Sequence, residues 1–201
     1  MHGAVFIAED KMEVTHLTEK DYTVSRWSGG RTVQLAIFPE DSLYADRSFL
    51  WRISSATVEL DESDFTTLPD YMRYIGTVSG SMKLCHNGGE CYIIHPGETA
   101  YFDGADATHS WWQCTDFNLM LRKGRCEGGM CDIAVSGNSD CSVELSDGET
   151  ALYYCTSGTL RLDTGGKEIC CAAGESLLLS GPGSAVITGS GSAKCARAKI
   201  L

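Results

Sequence analysis

The 201-residue chain has few basic residues, and this shortage restricts the partners that it can bind. Sixteen Lys and Arg stand against 27 Asp and Glu, which gives a formal net charge of −11. Because nucleic-acid-binding proteins neutralise phosphates with a basic patch, we expect no nucleic-acid partner. An anionic membrane surface would repel the chain, and no apolar run approaches the roughly 18 residues of a membrane helix. We therefore expect no membrane partner either.

The sequence also lacks the features of an export signal. Its early apolar run, residues 3–8, is too short for a signal-peptide core, follows no basic region and is succeeded at once by two acids. Ten Cys are present, but no pair has the C-x₂-C spacing of a zinc site. Since disulfides persist mainly in oxidising compartments, we expect a cytoplasmic protein with reduced thiols.

Helix signals are scarce, and the local patterns are those of β-strands. Only residues 41–49 offer a turn or two of helix, whereas 22 Gly separate short segments with alternating apolar residues. Residues 32–38 and 51–60 are two such segments. Asn87-Gly88-Gly89 lies between two others and predicts a hairpin. Many short strands joined by Gly turns predict an all-β sandwich or barrel.

The chain contains an internal repeat. Gly80 and Gly97 of the first copy correspond to Gly158 and Gly174 of the second, at offsets of 78 and 77 residues. Two copies at this long period indicate a duplicated module. The unit resembles the central hairpin of a cupin, so the repeat predicts a bicupin of two double-stranded β-helix barrels, jelly-roll-like and with little helix. The first barrel would span residues 1–125 and a smaller one residues 126–201; the alternative is an unrelated sandwich with Gly-turned hairpins.

Three spaced motifs resemble those of the HutD/Ves family. Residues 51–56 (WRISSA) resemble its W-R-x-S-x-A segment, residues 65–73 (FTTLPDYMR) its F-S-x-F-P-G-x-x-R segment, and residues 116–122 (DFNLMLR) its D-F-N-[IL]-M-x-R segment. A Gly-rich turn at residues 28–34 is similar to its N-G-G-x-T-x-E turn, although Gln34 replaces the acid. The resemblance implies a bicupin without an established enzymatic activity. It also implies a ligand-sensing, regulatory role, suggested for bacteria that encode the family with histidine-degradation enzymes.

The metal ligands of catalytic cupins are missing from the expected places. Such cupins use an H-x-H pair and a Glu from the first motif, but those places fall on residues 66–69 and on Arg73. His109 follows Gly97 by twelve residues, one more than the second-motif His would. Because one imidazole cannot hold a metal without at least two partners, we predict no metal and no cofactor. His86 and His95 lie beside turns and are predicted to face solvent.

Polar side chains alternate along two of the predicted strands. Alternation places Arg52 and Ser54 on one face of their strand, and Asp116, Asn118 and Met120 on one face of theirs. We expect both faces to look into the N-terminal barrel, with Arg73 nearby. Charges buried there need each other or a ligand, and Arg suits a carboxylate. The set predicts a pocket for a small anionic or zwitterionic metabolite; the alternative is a structural Arg52–Asp116 ion pair.

The second copy carries no equivalent polar set. It has three leucines, residues 177–179, where the first copy has Ala, Tyr and Phe at residues 100–102. We therefore predict a second barrel filled with apolar side chains that serves stability or dimerisation. The resulting hypothesis is a non-catalytic protein that binds a small metabolite, such as an amino-acid or histidine catabolite, and has a regulatory role. Two alternatives stay open: a metal-dependent cupin isomerase or oxygenase that uses His109, and a purely structural homodimer.

Overall fold

The computed structural model describes residues 11–137 and 139–201, and the early apolar run at residues 3–8 lies outside them. The described part is all-β, as predicted, with one 3₁₀ turn at Tyr44–Asp46. Eleven strands precede residue 125: β1 (Glu13–Leu17), β2 (Thr23–Trp27), β3 (Gly30–Phe38), β4 (Trp51–Val58), β5 (Glu62–Asp64), β6 (Tyr71–Ser79), β7 (Met82–His86), β8 (Cys91–Ile94), β9 (Thr99–Asp103), β10 (Thr108–Trp111) and β11 (Cys114–Arg122). Six follow it: β12 (Cys126–Val135), β13 (Cys141–Leu145), β14 (Glu149–Asp163), β15 (Glu168–Ala172), β16 (Ser176–Ser180) and β17 (Gly183–Ile200). None of the helical segments in the described ranges has the length and apolar character needed to cross a membrane.

The strands form three antiparallel sheets. A six-stranded sheet has the order β2-β3-β4-β11-β6-β9, and a four-stranded sheet has the order β5-β10-β7-β8. The third sheet has the order β1-β16-β14-β17-β12, with β13 added on β17 and β15 on β14. The first of the described strands therefore belongs to the sheet of the C-terminal half, since β1 pairs with β16 from Glu13↔Ser180 to Leu17↔Ser176.

The glycines of the repeat occupy matching turns. Gly80 and Gly158 have φ values of 76° and 70°, and Gly97 and Gly174 have 92° and 90°. Glycine adopts such left-handed conformations without the steric penalty of a Cβ. At Gly158 a Cβ would also lie 2.1 Å from the carbonyl oxygen of Ser190, so the side chain is excluded by space as well. Four glycines of the two copies thus correspond in conformation as well as in spacing.

One apolar core joins the two halves of the protein, and another fills the C-terminal half. The outer face of β11 packs against the C-terminal sheet, where Phe117 and Leu119 share a core with Leu152 and Ala196. The core cluster of the C-terminal half consists mainly of apolar side chains, as predicted. Its fully buried aliphatic side chains are Leu160, Leu162, Leu177, Leu179 and Ile187.

Candidate functional site

A cavity of about 260 Å³ lies in the N-terminal half. All six residues of the predicted ligand-binding set line it: Arg52, Ser54, Arg73, Asp116, Asn118 and Met120. The other lining residues include Thr32, Tyr44, Ser63 and Phe65. The structure therefore brings the predicted set together around one space.

Strand pairing explains why these side chains meet. In the antiparallel pair of β4 and β11, Ser54 lies opposite Asn118 and Arg52 opposite Met120. On the other side of β11, Arg73 of β6 is also opposite Met120. Because side chains opposite one another in a sheet project from the same face, the register of three adjacent strands builds one polar wall.

Arg52 is buried and is oriented by neutral groups. Its Nε donates to Oε1 of Gln34 at 2.8 Å, and its Nη1 donates to Oγ of Ser54 at 3.1 Å. The guanidinium carbon lies 4.3 Å from the ring centroid of Tyr44, in a cation–π arrangement. Burial lowers the pKa of Arg52 to about 10, so the group is still charged at neutral pH. Its charge is positioned but not neutralised by these partners.

Arg73 is buried between two aromatic rings. Its guanidinium carbon lies 4.7 Å from the ring centroid of Phe65 and 5.4 Å from that of Phe102. Its Nε has no hydrogen-bond partner among the described residues, although the atom is buried. Burial lowers the pKa of Arg73 to about 10. A buried donor without an acceptor costs free energy, so this nitrogen is suited to an acceptor that a ligand supplies.

Asp116 and Asn118 supply the acceptors of the site. Oδ1 of Asp116 accepts a hydrogen bond from the backbone N–H of Ala56 at 3.1 Å. Burial raises the pKa of Asp116 to about 7, although that N–H and the two arginines oppose the rise. Oδ1 of Asn118 is buried and has no donor within the described ranges. Two residues of the cavity lining therefore carry a buried polar atom without a partner among the described residues: the donor Nε of Arg73 and the acceptor Oδ1 of Asn118.

The alternative of a structural Arg52–Asp116 ion pair is wrong. Across residues 11–137 and 139–201, none of the ion pairs includes Arg52, Arg73 or Asp116. The two guanidinium groups and the carboxylate share a cavity without neutralising each other by direct contact.

The side chain of His109 lies on the outer face of the four-stranded sheet, away from the buried side chains of its neighbours on β10. Its neighbours Thr108 and Ser110 are buried on the inner side, whereas the Nδ1 of His109 is 2.7 Å from Oδ1 of the exposed Asp64. The hydrogen bond to Asp64 raises the pKa of His109, and Glu62 adds to the rise. The extra residue between Gly97 and His109 accounts for this, because a shift of one residue along a strand reverses the face. The position of His109 gives no support to an enzyme that would use it inside the barrel.

Comparison with known proteins identifies the family. The family model for HutD matches residues 19–196. The chain belongs to the HutD family. No curated protein matches it significantly. Among solved structures, a conserved protein of unknown function from Pseudomonas aeruginosa PAO1 is 22% identical, with a TM-score of 0.79 over 94% of this chain and 98% of that chain.

Two further solved structures show the same fold. HutD from Pseudomonas fluorescens SBW25, in a structure described as "Formate condition", is 18% identical, with a TM-score of 0.75 over 94% of this chain and 100% of that chain. A bacterial pirin from Escherichia coli, in complex with nickel(II), is 7% identical, with a TM-score of 0.66 over 93% of this chain and 98% of that chain. At these identities the likeness shows the fold alone.

The contact of Gln34 with Arg52 in this HutD-family chain was not predicted from the sequence. Gln34 stands where the HutD/Ves turn has an acid, and it accepts a hydrogen bond from Nε of Arg52. The departure from the motif was the available signal. Because the partner is a neutral amide and not a carboxylate, Gln34 holds Arg52 in place without neutralising its positive charge.

The prediction that His86 faces solvent is wrong. Its ring is half-buried, with Nδ1 2.8 Å from Oγ1 of Thr108 and Nε2 2.7 Å from the hydroxyl of Tyr92. The ring also packs 4.6 Å from that of Phe102. Burial lowers the pKa of His86. Alternation with the fully buried Leu84 was the signal that places this side chain on the inner face. His95 is exposed, as predicted.

Proposed function

We propose that this HutD-family protein binds a small anionic or zwitterionic metabolite in the cavity of its N-terminal half. Binding has a regulatory consequence, and the ligand is not chemically changed. One observation carries the proposal: Arg52 and Arg73 are buried at one cavity, and within residues 11–137 and 139–201 no carboxylate forms an ion pair with either of them. Buried charges are stable when they are paired, so a ligand carboxylate is the partner that the site calls for.

The charge and hydrogen-bonding capacity of the wall define the ligand class. Arg52 and Arg73 supply two positive charges, and Asp116, with a pKa of about 7, is only partly ionised at neutral pH, so these three groups carry a net charge between +1 and +2. The exposed Asp64 also lines the cavity. A ligand carboxylate supplies the acceptor that Nε of Arg73 lacks, and a ligand N–H supplies the donor that Oδ1 of Asn118 lacks. A cavity of about 260 Å³ is just below the range of drug-sized pockets, which suits a metabolite of amino-acid size.

An amino-acid or histidine catabolite has this combination of a carboxylate and an N–H group. The resemblance to a family encoded with histidine-degradation enzymes favours the same class. A cytoplasmic location and a homodimer formed through the second half stay predictions from the sequence.

A ligand screen tests the proposal. The purified protein is heated with small mono- and dicarboxylates, amino acids and histidine-degradation intermediates, and hits are measured by calorimetry. A ligand at 100 times its Kd should add about 2.7 kcal/mol to the free energy of unfolding. NMR of the ligand after long incubation should show no new product, because we propose binding without turnover.

Matched variants locate the binding. Arg52→Lys should stay folded and lose most of the affinity, since an ammonium cannot make the two-pronged contact with a carboxylate. Gln34→Glu should also weaken the binding of anions, because it places a carboxylate on Nε of Arg52. His95→Ala is the control, since His95 is exposed and does not line the cavity, and should bind like the parent protein. Unchanged affinity in both Arg52→Lys and Gln34→Glu would contradict the proposal.

A further inference from the structure

Three metal-binding side chains meet at the edge of the C-terminal sheet. His16, Cys171 and Glu175 each offer one ligand atom, and these atoms all lie within 4.8 Å of one another. The Nε2 of His16 is 2.9 Å from Oε2 of Glu175. Spacing in the sequence does not connect His16 with the second half, because Cys171 follows it by 155 positions. The pairing of β1 with β16 brings them together.

Backbone pairing fixes each ligand from a different segment. His16 lies opposite Leu177 in the β1–β16 register, and Cys171 lies opposite Leu160 in the β14–β15 register. Glu175 ends a turn in which its Oε2 also accepts a hydrogen bond from the backbone N–H of Ala172 at 2.8 Å. The three side chains therefore converge because of the fold and not because of one flexible loop.

The donor set matches the preferences of zinc. Imidazole nitrogen, thiolate sulfur and carboxylate oxygen are its three usual protein ligands, at about 2.0–2.3 Å from the metal. Bonds of that length in a tetrahedron place ligand atoms roughly 3.3–3.8 Å apart. The Nε2 of His16 and Oε2 of Glu175, 2.9 Å apart, need to separate slightly, and no pair in the set is more than 4.8 Å apart, so each distance changes by roughly 1.5 Å at most. The side chains of His16 and Glu175 are 33% and 30% exposed, which leaves them room to move toward the buried sulfur.

We propose that His16, Cys171 and Glu175 form a binding site for Zn²⁺, with water as the fourth ligand. The metal joins the first of the described strands to the core of the C-terminal half. When the Zn–S bond forms, the Cys171 thiol releases its proton to solvent, and no change of oxidation state takes place.

Cobalt(II) is the probe, because it occupies zinc sites and gives a thiolate-to-metal charge-transfer band in the near ultraviolet. Metal-free, reduced full-length protein is titrated with Co²⁺ and then with Zn²⁺. We expect one equivalent of Co²⁺ to produce the band and Zn²⁺ to displace it. Zn²⁺ should also raise the melting temperature of the protein, since it binds the folded state.

Two variants and two controls assign the site. His16→Ala and Cys171→Ser should each weaken Zn²⁺ binding by more than the roughly 100-fold that loss of an outer-shell partner costs at most. Cys170→Ser is the matched control, because Cys170 is the exposed neighbour on the opposite face of β15. His95→Ala is the control for the histidine and is also exposed.

The inference fails if Co²⁺ binds without a charge-transfer band, if no stoichiometric binding occurs, or if Cys170→Ser loses the band as completely as His16→Ala does. Should Cys171→Ser not fold, His16→Ala decides the question, since its side chain lies at the surface of an otherwise unchanged core. A retained band and affinity in His16→Ala would then overturn the assignment.

Discussion

Arg52 and Asp116 line the same cavity from adjacent strands, and each is bound to neutral groups instead of to the other. Arg52 donates to Gln34 and Ser54, whereas Asp116 accepts from the backbone of Ala56. Charges buried in this way reduce the stability of the unliganded protein, because their desolvation is not offset by a direct ion pair. The unpaired charges of the site thus lower the stability of the unliganded protein, and this effect can be measured in variants.

Arg73→Met should retain or increase the stability of the unliganded protein. Met keeps an apolar side chain between Phe65 and Phe102 and removes the unpaired Nε. Replacing buried charged groups by apolar ones is often neutral or stabilising by about 1–4 kcal/mol. We expect a change in the free energy of unfolding between zero and about +2 kcal/mol, measured by urea denaturation, together with loss of ligand binding. A loss of 3 kcal/mol or more would show that Arg73 is a structural residue.

Asp116→Asn should remove a pH dependence of stability. The pKa of Asp116 is about 7 in the folded protein, above its usual value of 3.8, so the folded state binds the proton more tightly than the unfolded state does. Its contribution is therefore fully present below about pH 4 and is lost as the pH rises to about 7.

In Asn the amide oxygen replaces the carboxylate Oδ1 that accepts the hydrogen bond from the N–H of Ala56, and the side chain does not titrate in this range. The difference in unfolding free energy, variant minus parent, should grow between these pH values in the unliganded proteins and then level off, reaching roughly a few kcal/mol at most. Chemical denaturation at a series of pH values measures it. A difference that does not change with pH would contradict the raised pKa.

The pH dependence of ligand affinity distinguishes an anion from a zwitterion. As the pH rises through about 7, Asp116 gains a negative charge. A ligand with only carboxylate groups should then bind more weakly, because the charge repels it. A ligand whose ammonium group contacts Asp116 should bind more tightly over the same range. Calorimetry at pH 6 and pH 8 decides between them, and Asp116→Asn should abolish either trend.

The part of the site that is governed by local alternation was predictable from the sequence. Side chains on β4 and β11 alternate with a period of two, so the shared face of Arg52 and Ser54, and that of Asp116 and Asn118, follows from spacing alone. The burial of the intervening Phe117 against the other half agrees with the same pattern. The repeated glycines likewise predict the turns, because each turn has a positive φ, which favours Gly.

Other features depend on contacts that spacing does not encode. The β3–β4 register shifts between Gln34 and Ala36, so simple alternation along β3 does not locate Gln34 relative to Arg52. The position of His16 depends on its pairing with Leu177, a residue that is distant from it in the sequence. Alternation of residue types describes each strand by itself, whereas these relationships depend on which strands, distant in sequence, pair in the sheet.

Leu162→Ala should separate the function of the two halves. Leu162 is fully buried in the apolar core of the C-terminal sheet, next to Ile187. Removing a buried leucine side chain costs about 2–5 kcal/mol, because apolar contacts are lost and a cavity is left. Val186→Ala is the control, since Val186 lies on the same sheet but is 37% exposed, and should change stability by less than about 0.5 kcal/mol.

Both variants should bind the ligand with the affinity of the parent protein at temperatures where they are folded, because the cavity is lined by residues of the N-terminal half. Denaturation curves give the stability, and calorimetry well below the melting temperature gives the affinity. A large loss of affinity in folded Leu162→Ala, with none in Val186→Ala, would show instead that the second core shapes the site. The apolar second half would then take part in ligand binding, contrary to the stabilising role that its filled interior predicts.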